Sequence, residues 1–284
     1  VSVHPDSYGL ATAALKQLDG DRYIASLVLP EPARAHIQAL WAFAAELAAV
    51  RGRVTEPAPG EIRLQWWADA LEGTEHGAVR ANPVADALFD TIETFGLSTV
   101  PLMRMVNARR FDLYDDPMPD LGQAEGYAGE TASILYHYAA MILNGGREPQ
   151  SGDAAGHLGV ADSLSLHLRA MPADLAAGRL MLPHDLLTRH GVTESQLFAG
   201  SMTEGLGDAL AELRSIATDH LEEARTAIVL LPREIRPAFA AIALIDKRLK
   251  ALERHRQTPF ALYPAGADWR KIAAVLFWAM KSQK

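Results

Sequence analysis

Chemistry on hard cations and phosphates needs carboxylates at helical spacing, so the acidic side chains of this chain are the first to weigh. One run, Asp112-Leu-Tyr-Asp-Asp116, is dense enough to suggest a metal site. Arg109 and Arg110 precede it and Pro117 and Pro119 follow, so a helix end neutralised by local ion pairs explains the same residues. Glu46 is the only carboxylate between Pro32 and Thr55. Asp162 and His167 stand five positions apart, which aims them poorly at a shared ion. His137, His157, His167 and His184 are scattered, and no histidine pair has ligand spacing. There is no Gly-x-Ser-x-Gly, no P-loop and no dinucleotide fingerprint. The remaining polar signal is arginine. Arg63, Arg169 and Arg179 could grip phosphate bidentately without a metal, or could simply form salt bridges.

Helices must position these residues. Apolar side chains recur at a spacing of three and four, and no long stretch alternates at period two. Ile37, Leu40, Trp41, Ala44, Leu47 and Ala48 form one stripe. Ile62, Trp66 and Ala70 form a second, after a break at Pro59-Gly60. This predicts two antiparallel helices with Trp41, Phe43 and Trp66 inside and Trp67 less buried. Further helices are predicted from Pro83 to Phe95, over 102–113, over 124–143 and over 157–171, the last stopped near Pro172. Three more are predicted over 203–229, 234–255 and 269–280. The last has a wide apolar face between Arg270, Lys271 and Lys281, Lys284. It could lie on an anionic membrane, but burial against the bundle is the expectation. The fold class is therefore all-α, one domain over 1–284, with no repeat or linker to divide it.

Composition narrows the function. A net charge of −8 opposes a nucleic-acid role based on a general basic field. The absence of cysteine removes disulfides, thiolate zinc sites and a cysteine nucleophile. No signal peptide is read in residues 1–20, and no apolar run has the length of a spanning helix. The expectation is a cytoplasmic protein, with peripheral contact at the inner face of the membrane left open.

Several segments, in order, carry a family resemblance. They are Tyr-Ile-Ala-Ser-Leu-Val-Leu-Pro at 23–30, Phe-Ala-Ala-Glu-Leu-Ala-Ala-Val-Arg at 43–51 and Ile-Arg-Leu-Gln-Trp-Trp at 62–67. Asn-Pro-Val at 82–84, Ala-Gly-Glu-Thr-Ala-Ser at 128–133, Leu-Arg-Ala-Met-Pro at 168–172 and Gly-Arg-Leu-Met-Leu-Pro at 178–183 complete the set. The chain resembles the squalene/phytoene synthases, which join two prenyl diphosphates head to head, most clearly over 23–192. Within that family it looks like the subgroup of phytoene-synthase-like assembly factors of respiratory complex I.

The resemblance implies an isoprenoid-synthase-type bundle around a central cavity. It also places the family's two aspartate-rich motifs, whose carboxylates hold Mg²⁺ against the diphosphate. Those positions fall on Ala48 and Gly52, and on Ala170 and Asp174. Three of the four offer no ligand, and Asp174, beyond Pro172, is expected to be solvated. No catalytic residue and no metal site are therefore expected, and Mg²⁺ enters only if catalysis survives. The candidates for lining the cavity are Glu46, Arg63, Trp66, Asp112, Tyr127, Ser133, Asp162, Arg169 and Arg179. Three functions stay open. The chain could bind a protein partner, a complex I subunit or assembly intermediate. It could be an active prenyl transferase. It could carry a prenyl or phosphorylated lipid.

Overall fold

The computed structural model describes residues 6–74, 78–262 and 266–282. Among them there is no strand, and the order of elements is α1 (Ser7–Leu18), α2 (Gly20–Ser26), α3 (Ala33–Ala49), α4 (Pro57–Glu72), α5 (Pro83–Phe95) and α6 (Val100–Ala108). Then follow α7 (Leu121–Ala128), α8 (Ile134–Leu143), α9 (Gly152–Ala176), α10 (His184–Arg189) and α11 (Glu194–Phe198). The chain closes with α12 (Glu204–Leu230), α13 (Ile242–Arg254) and α14 (Asp268–Ser282). No described helix is long and apolar enough to cross a membrane.

Local chemistry sets many of the boundaries. Asn82 accepts from the backbone N–H groups of Val84 and Ala85, and Pro83 fills the first turn of α5. That helix ends at Gly96 in the left-handed conformation, φ 62°. Asp120 and Thr203 cap α7 and α12 in the same way as Asn82. At the centre, α9 is buried continuously from Leu158 to Ser165, which places it inside the bundle rather than on its surface. It packs along α12 and crosses the start of α8 closely. A side chain at Gly159 would overlap Ser133 and its backbone, so only glycine permits this approach.

Several sequence expectations are corrected here. The helix predicted over 157–171 begins at Gly152 and runs through Pro172 to Ala176. Its dense packing against α12 and α13 outweighs the one hydrogen bond that proline removes, a loss of about 3 kcal/mol. The helix predicted over 102–113 stops at Ala108, and Phe111–Leu113 is a 3₁₀ turn. That over 124–143 contains a π segment at Gly129–Ser133. That over 234–255 starts only at Ile242, after a 3₁₀ turn at Arg236–Phe239. Pro59-Gly60 does not break the chain. Both lie in the first turn of α4, where proline's missing N–H would be unpaired anyway.

Two burial expectations also fail. The inward face of α4 is Leu64, Trp67, Ala68 and Leu71, so Trp67 is 4% exposed and Trp66 is 36% exposed. The two tryptophans exchange the roles predicted for them, while Trp41 and Phe43 are fully buried as predicted. Rather than pairing with α3 along its length, α4 packs chiefly on α6 and meets α3 where Phe43 contacts Trp67 edge-on, centroids 4.9 Å apart. The closing helix meets its expectation in part: α14 docks on the bundle through Val275, Ile272 and Trp278, but Trp269, Leu276, Phe277 and Met280 stay exposed.

Candidate functional site

A cavity of about 560 Å³ opens between the C-terminal ends of α1 and α3, the start of α2, the middle of α9, and α13 and α14. One wall is α3, which presents Ala44, Ala45, Ala48 and Ala49. The opposite wall is ionic. Among its described lining residues, Lys16, Arg22, Arg109, Arg169, Arg248 and Lys271 stand with three carboxylates: Asp19, Asp21 and Asp162.

Asp162 organises this wall from the buried core of α9. Its Oδ1 accepts from Arg248 Nη1 at 2.8 Å, and its Oδ2 from Arg22 Nη2 at 3.1 Å and Tyr136 Oη at 2.8 Å. Burial pushes the Asp162 carboxyl up, but Arg248 and Arg22 outweigh that, and it stays below the usual carboxylate range. The Tyr136 hydroxyl is pushed well up by burial and by the Asp162 charge, so it remains a donor. Asp19 caps α2 and holds Arg22 at 2.7 Å. Asp21 accepts from Lys271 at 2.7 Å and lies 3.4 Å from Arg248 and 3.5 Å from Arg169. Positive charge is in excess here. Arg169 is lowered by burial and then by neighbouring Arg248. The Nε groups of Arg22, Arg109 and Arg248 are buried with no hydrogen-bond partner among the described residues.

The sequence candidates are distributed among several places. Asp162, Arg169 and Ala48 line the cavity. Gly52 does not: α3 ends at Ala49, and Gly52 sits in the 3₁₀ turn Arg51–Arg53, exposed. Ala170 is half-buried one position from Arg169 and outside the lining. Asp174 is not solvated as expected, because Arg179 holds it at 2.7 Å and both are partly buried. Asp112 and Tyr127 form a closed knot with Arg109. Arg109 Nη1 donates to Tyr127 Oη at 2.7 Å, and the tyrosine donates to Asp112 Oδ1 at 2.7 Å. Arg109 completes it with an ion pair to Asp112 at 3.1 Å. Local ion pairing thus absorbs the charge of Asp112, and Asp115 is taken by Arg51 at 2.7 Å. Ser133 donates to the Gly156 carbonyl at the α8–α9 crossing and does not line the cavity.

Glu46, Arg63 and Trp66 meet in a different, outward-facing pocket of about 420 Å³, with Arg53 and Asn82. Helical geometry explains the separation: Glu46 is two residues from Ala44 and Ala48, about 200° round α3. Burial raises the Glu46 carboxyl above its usual value, against a smaller opposing pull from Arg53.

Residue spacing hid the principal members of the site. Asp21 and Lys271 are 250 positions apart, and Asp162 and Arg248 are 86 apart. One signal was available. Asp162 lies within the apolar run of α9, and Arg248 falls on the buried stripe of α13 with Leu244, Ile245 and Leu249. Charges in such positions must find one another.

The cavity does not suit Mg²⁺. That ion needs free carboxylate oxygens, whereas α3 supplies methyl groups and all three cavity carboxylates are held by cations. No group of three or more His, Asp or Glu side chains able to hold a metal occurs among the described residues.

Known proteins place the chain. The squalene/phytoene synthase profile matches residues 15–272. The human protein named NADH dehydrogenase (ubiquinone) complex I, assembly factor 6 is 29% identical over 268 residues, covering 90% of this chain and 80% of its own. A Synechocystis 15-cis-phytoene synthase is 25% identical, covering 90% and 79%. Among solved structures, a dehydrosqualene synthase superposes with a TM-score of 0.77 at 21% identity, covering 97% of each chain. A squalene synthase from Alicyclobacillus acidocaldarius gives 0.74 at 20% identity, covering 89% and 95%. These structures share the isoprenoid-synthase fold of α-helices around a cavity, and the profile match spans nearly the whole chain, which belongs to the squalene/phytoene synthase family.

Proposed function

We propose that this chain is a non-catalytic member of its family that binds a protein partner, in the manner of a complex I assembly factor. The observation that carries this is the α3 wall. Ala48 lies on the cavity surface, and the family resemblance puts it at a position where a metal-assisted ionisation would need a carboxylate. The carboxylates nearby are already neutralised, so no Mg²⁺ cofactor is assigned. The relatives at 29% identity that are named complex I assembly factors support the partner class. The partner is then a complex I subunit or assembly intermediate, and the site of action is the inner face of the membrane that carries it.

Two assays test this reading. The purified chain, given farnesyl or geranylgeranyl diphosphate with Mg²⁺ or Mn²⁺, should form no squalene, phytoene or cyclopropyl intermediate. Capture of the tagged chain from its native host should enrich complex I subunits. Formation of a condensed prenyl product, or capture of isoprenoid enzymes without respiratory subunits, overturns it.

One observation favours a second role compatible with the first. The cationic excess and the unpartnered arginine Nε groups suit a phosphorylated prenyl lipid bound without metal. Calorimetric titration of farnesyl diphosphate in EDTA tests it, and an absence of heat removes it.

A further inference from the structure

A second chamber of about 360 Å³ adjoins the central cavity between α13 and α14 and shares Asp21, Arg169, Leu244, Arg248 and Lys271 with it. Six of its lining side chains are cationic. Arg169, Arg248 and Lys271 are paired with Asp21, and Arg248 also with Asp162, so Lys247, Arg254 and Arg270 carry the excess. Asp21 is the only acid among its described lining residues. In a chain of net charge −8 this is a marked local reversal. The acids of α13 do not cancel it. Asp246 is engaged by Arg225 and Lys250, and Glu253 by Arg214 and Arg256.

Beside the chamber, α14 turns apolar side chains outward. Trp269 is 66% exposed, Phe277 56%, and Leu276 and Met280 are also exposed. On a helical wheel Trp269, Ala273, Leu276 and Met280 fall within about 60°, with Phe277 at the edge. Arg270 and Lys281 flank that edge, and each lies over an aromatic ring, Arg270 over Trp269 and Lys281 over Phe277. Asp268 is the one acid on this helix.

The stripe is held in place. Lys271 is fastened to Asp21 at 2.7 Å, Lys247 donates to the Arg270 carbonyl at 2.8 Å, and Arg236 donates to the Ser282 carbonyl at 2.7 Å. Arg236 also donates to the Val229 carbonyl, so exposed Val229 and Leu230 adjoin the far end of α14. The result is an apolar ridge fastened near both ends beside a basic chamber.

We propose that this α13–α14 face docks the protein on an anionic lipid surface, with headgroup phosphates in the basic chamber and Trp269, Leu276, Phe277 and Met280 in the interfacial layer. The chemistry of both halves selects this occupant. Amphipathic helices with Trp, Phe and Leu on one face and cations at the rim bind interfaces by apolar burial plus attraction to anionic lipid. Basic side chains near such a surface add to the attraction one by one. The inference rests on Lys247, Arg254, Arg270 and the α14 stripe, none of which lines the central cavity.

Flotation of the full chain tests it, using vesicles of phosphatidylcholine alone or with about 40% phosphatidylglycerol, at low and high salt. The chain should bind the anionic vesicles at least about tenfold more tightly than the neutral ones, and high salt should release it. Phe277→Ala with Met280→Ala, and separately Arg270→Glu, should each weaken binding severalfold. All three side chains are exposed, so the melting temperature should not change. Equal binding to both vesicle types, no binding by the folded chain, or full binding by both variants overturns the proposal. So does binding of inorganic phosphate without any vesicle binding, which would make the chamber a small-anion site only.

Discussion

Ala48 and Glu46 are two residues apart on α3, yet they border chambers of opposite character. The chamber at Ala48 contains a closed network in which each carboxylate is held by cations and α9 is tied to α2, α13 and, through Asp21, α14. At Glu46 the pocket is open, Trp66 there is partly exposed, and the Glu46 carboxyl is raised because burial has removed water without supplying a close partner. Buried charge is tolerated where partners converge from several helices and is a liability where a single helix supplies it.

The largest effect should come from breaking the network. Asp162→Ala leaves Arg22 and Arg248 buried without their shared counter-ion and should cost about 3–5 kcal/mol. That corresponds to a fall in melting temperature of about 10 °C, read by calorimetry at pH 7. The pH dependence sharpens the test. Asp162 is held below its unfolded pKa, so its contribution is complete above that value and is lost as pH falls through the folded one. The gap between parent and variant should therefore close in acid, below about pH 4. A gap that is constant with pH would mean the charge itself is not what stabilises the junction.

The paired tryptophans of α4 compare buried and open surface directly. Trp67→Ala should cost about 3–5 kcal/mol. Trp66→Ala should cost under about 1 kcal/mol, since its ring meets solvent and Trp67 alone packs on Phe43. Equal losses would show that the two faces of α4 are not distinguished by burial.

Gly159→Ala probes the α8–α9 crossing behind the cavity. The added carbon meets the Ser133 hydroxyl and also its backbone, which cannot rotate away, so the helices must separate, at about 1–3 kcal/mol. Denaturant melts at matched pH measure this, and an unchanged midpoint would mean that α9 can shift freely.

The smallest effect, opposite in sign, belongs to Glu46. Its folded pKa is raised, so the folded state prefers the protonated acid and ionisation at neutral pH destabilises it. Glu46→Gln should stabilise by up to about 1 kcal/mol at pH 8, and the gain should vanish below about pH 4. A loss at pH 8 would instead place a hidden partner on Glu46.

What the sequence determined is what depends on near neighbours. Helical periodicity named the fold class, because a stripe at three and four residues must be buried whichever helix covers it. The alanines at 48 and 170 and the glycine at 52 stand where the family resemblance implies carboxylates, a comparison that needs no structure. Local pairing at Asp112 followed from Arg109 three residues earlier.

Tertiary structure decided whatever depends on distant segments. Either face of α4 could have been buried, and only contact with α3 and α6 selected Trp67 over Trp66. Pro172 was a stop signal locally, and helix packing along α9 overrode it. The network around Asp162 draws on residues 22, 136 and 248, and its neighbour Asp21 reaches Lys271 across 250 positions. Periodicity carries no information about which buried charge meets which. That choice is made when the helices close around one cavity and each charge must find a partner or remain in water.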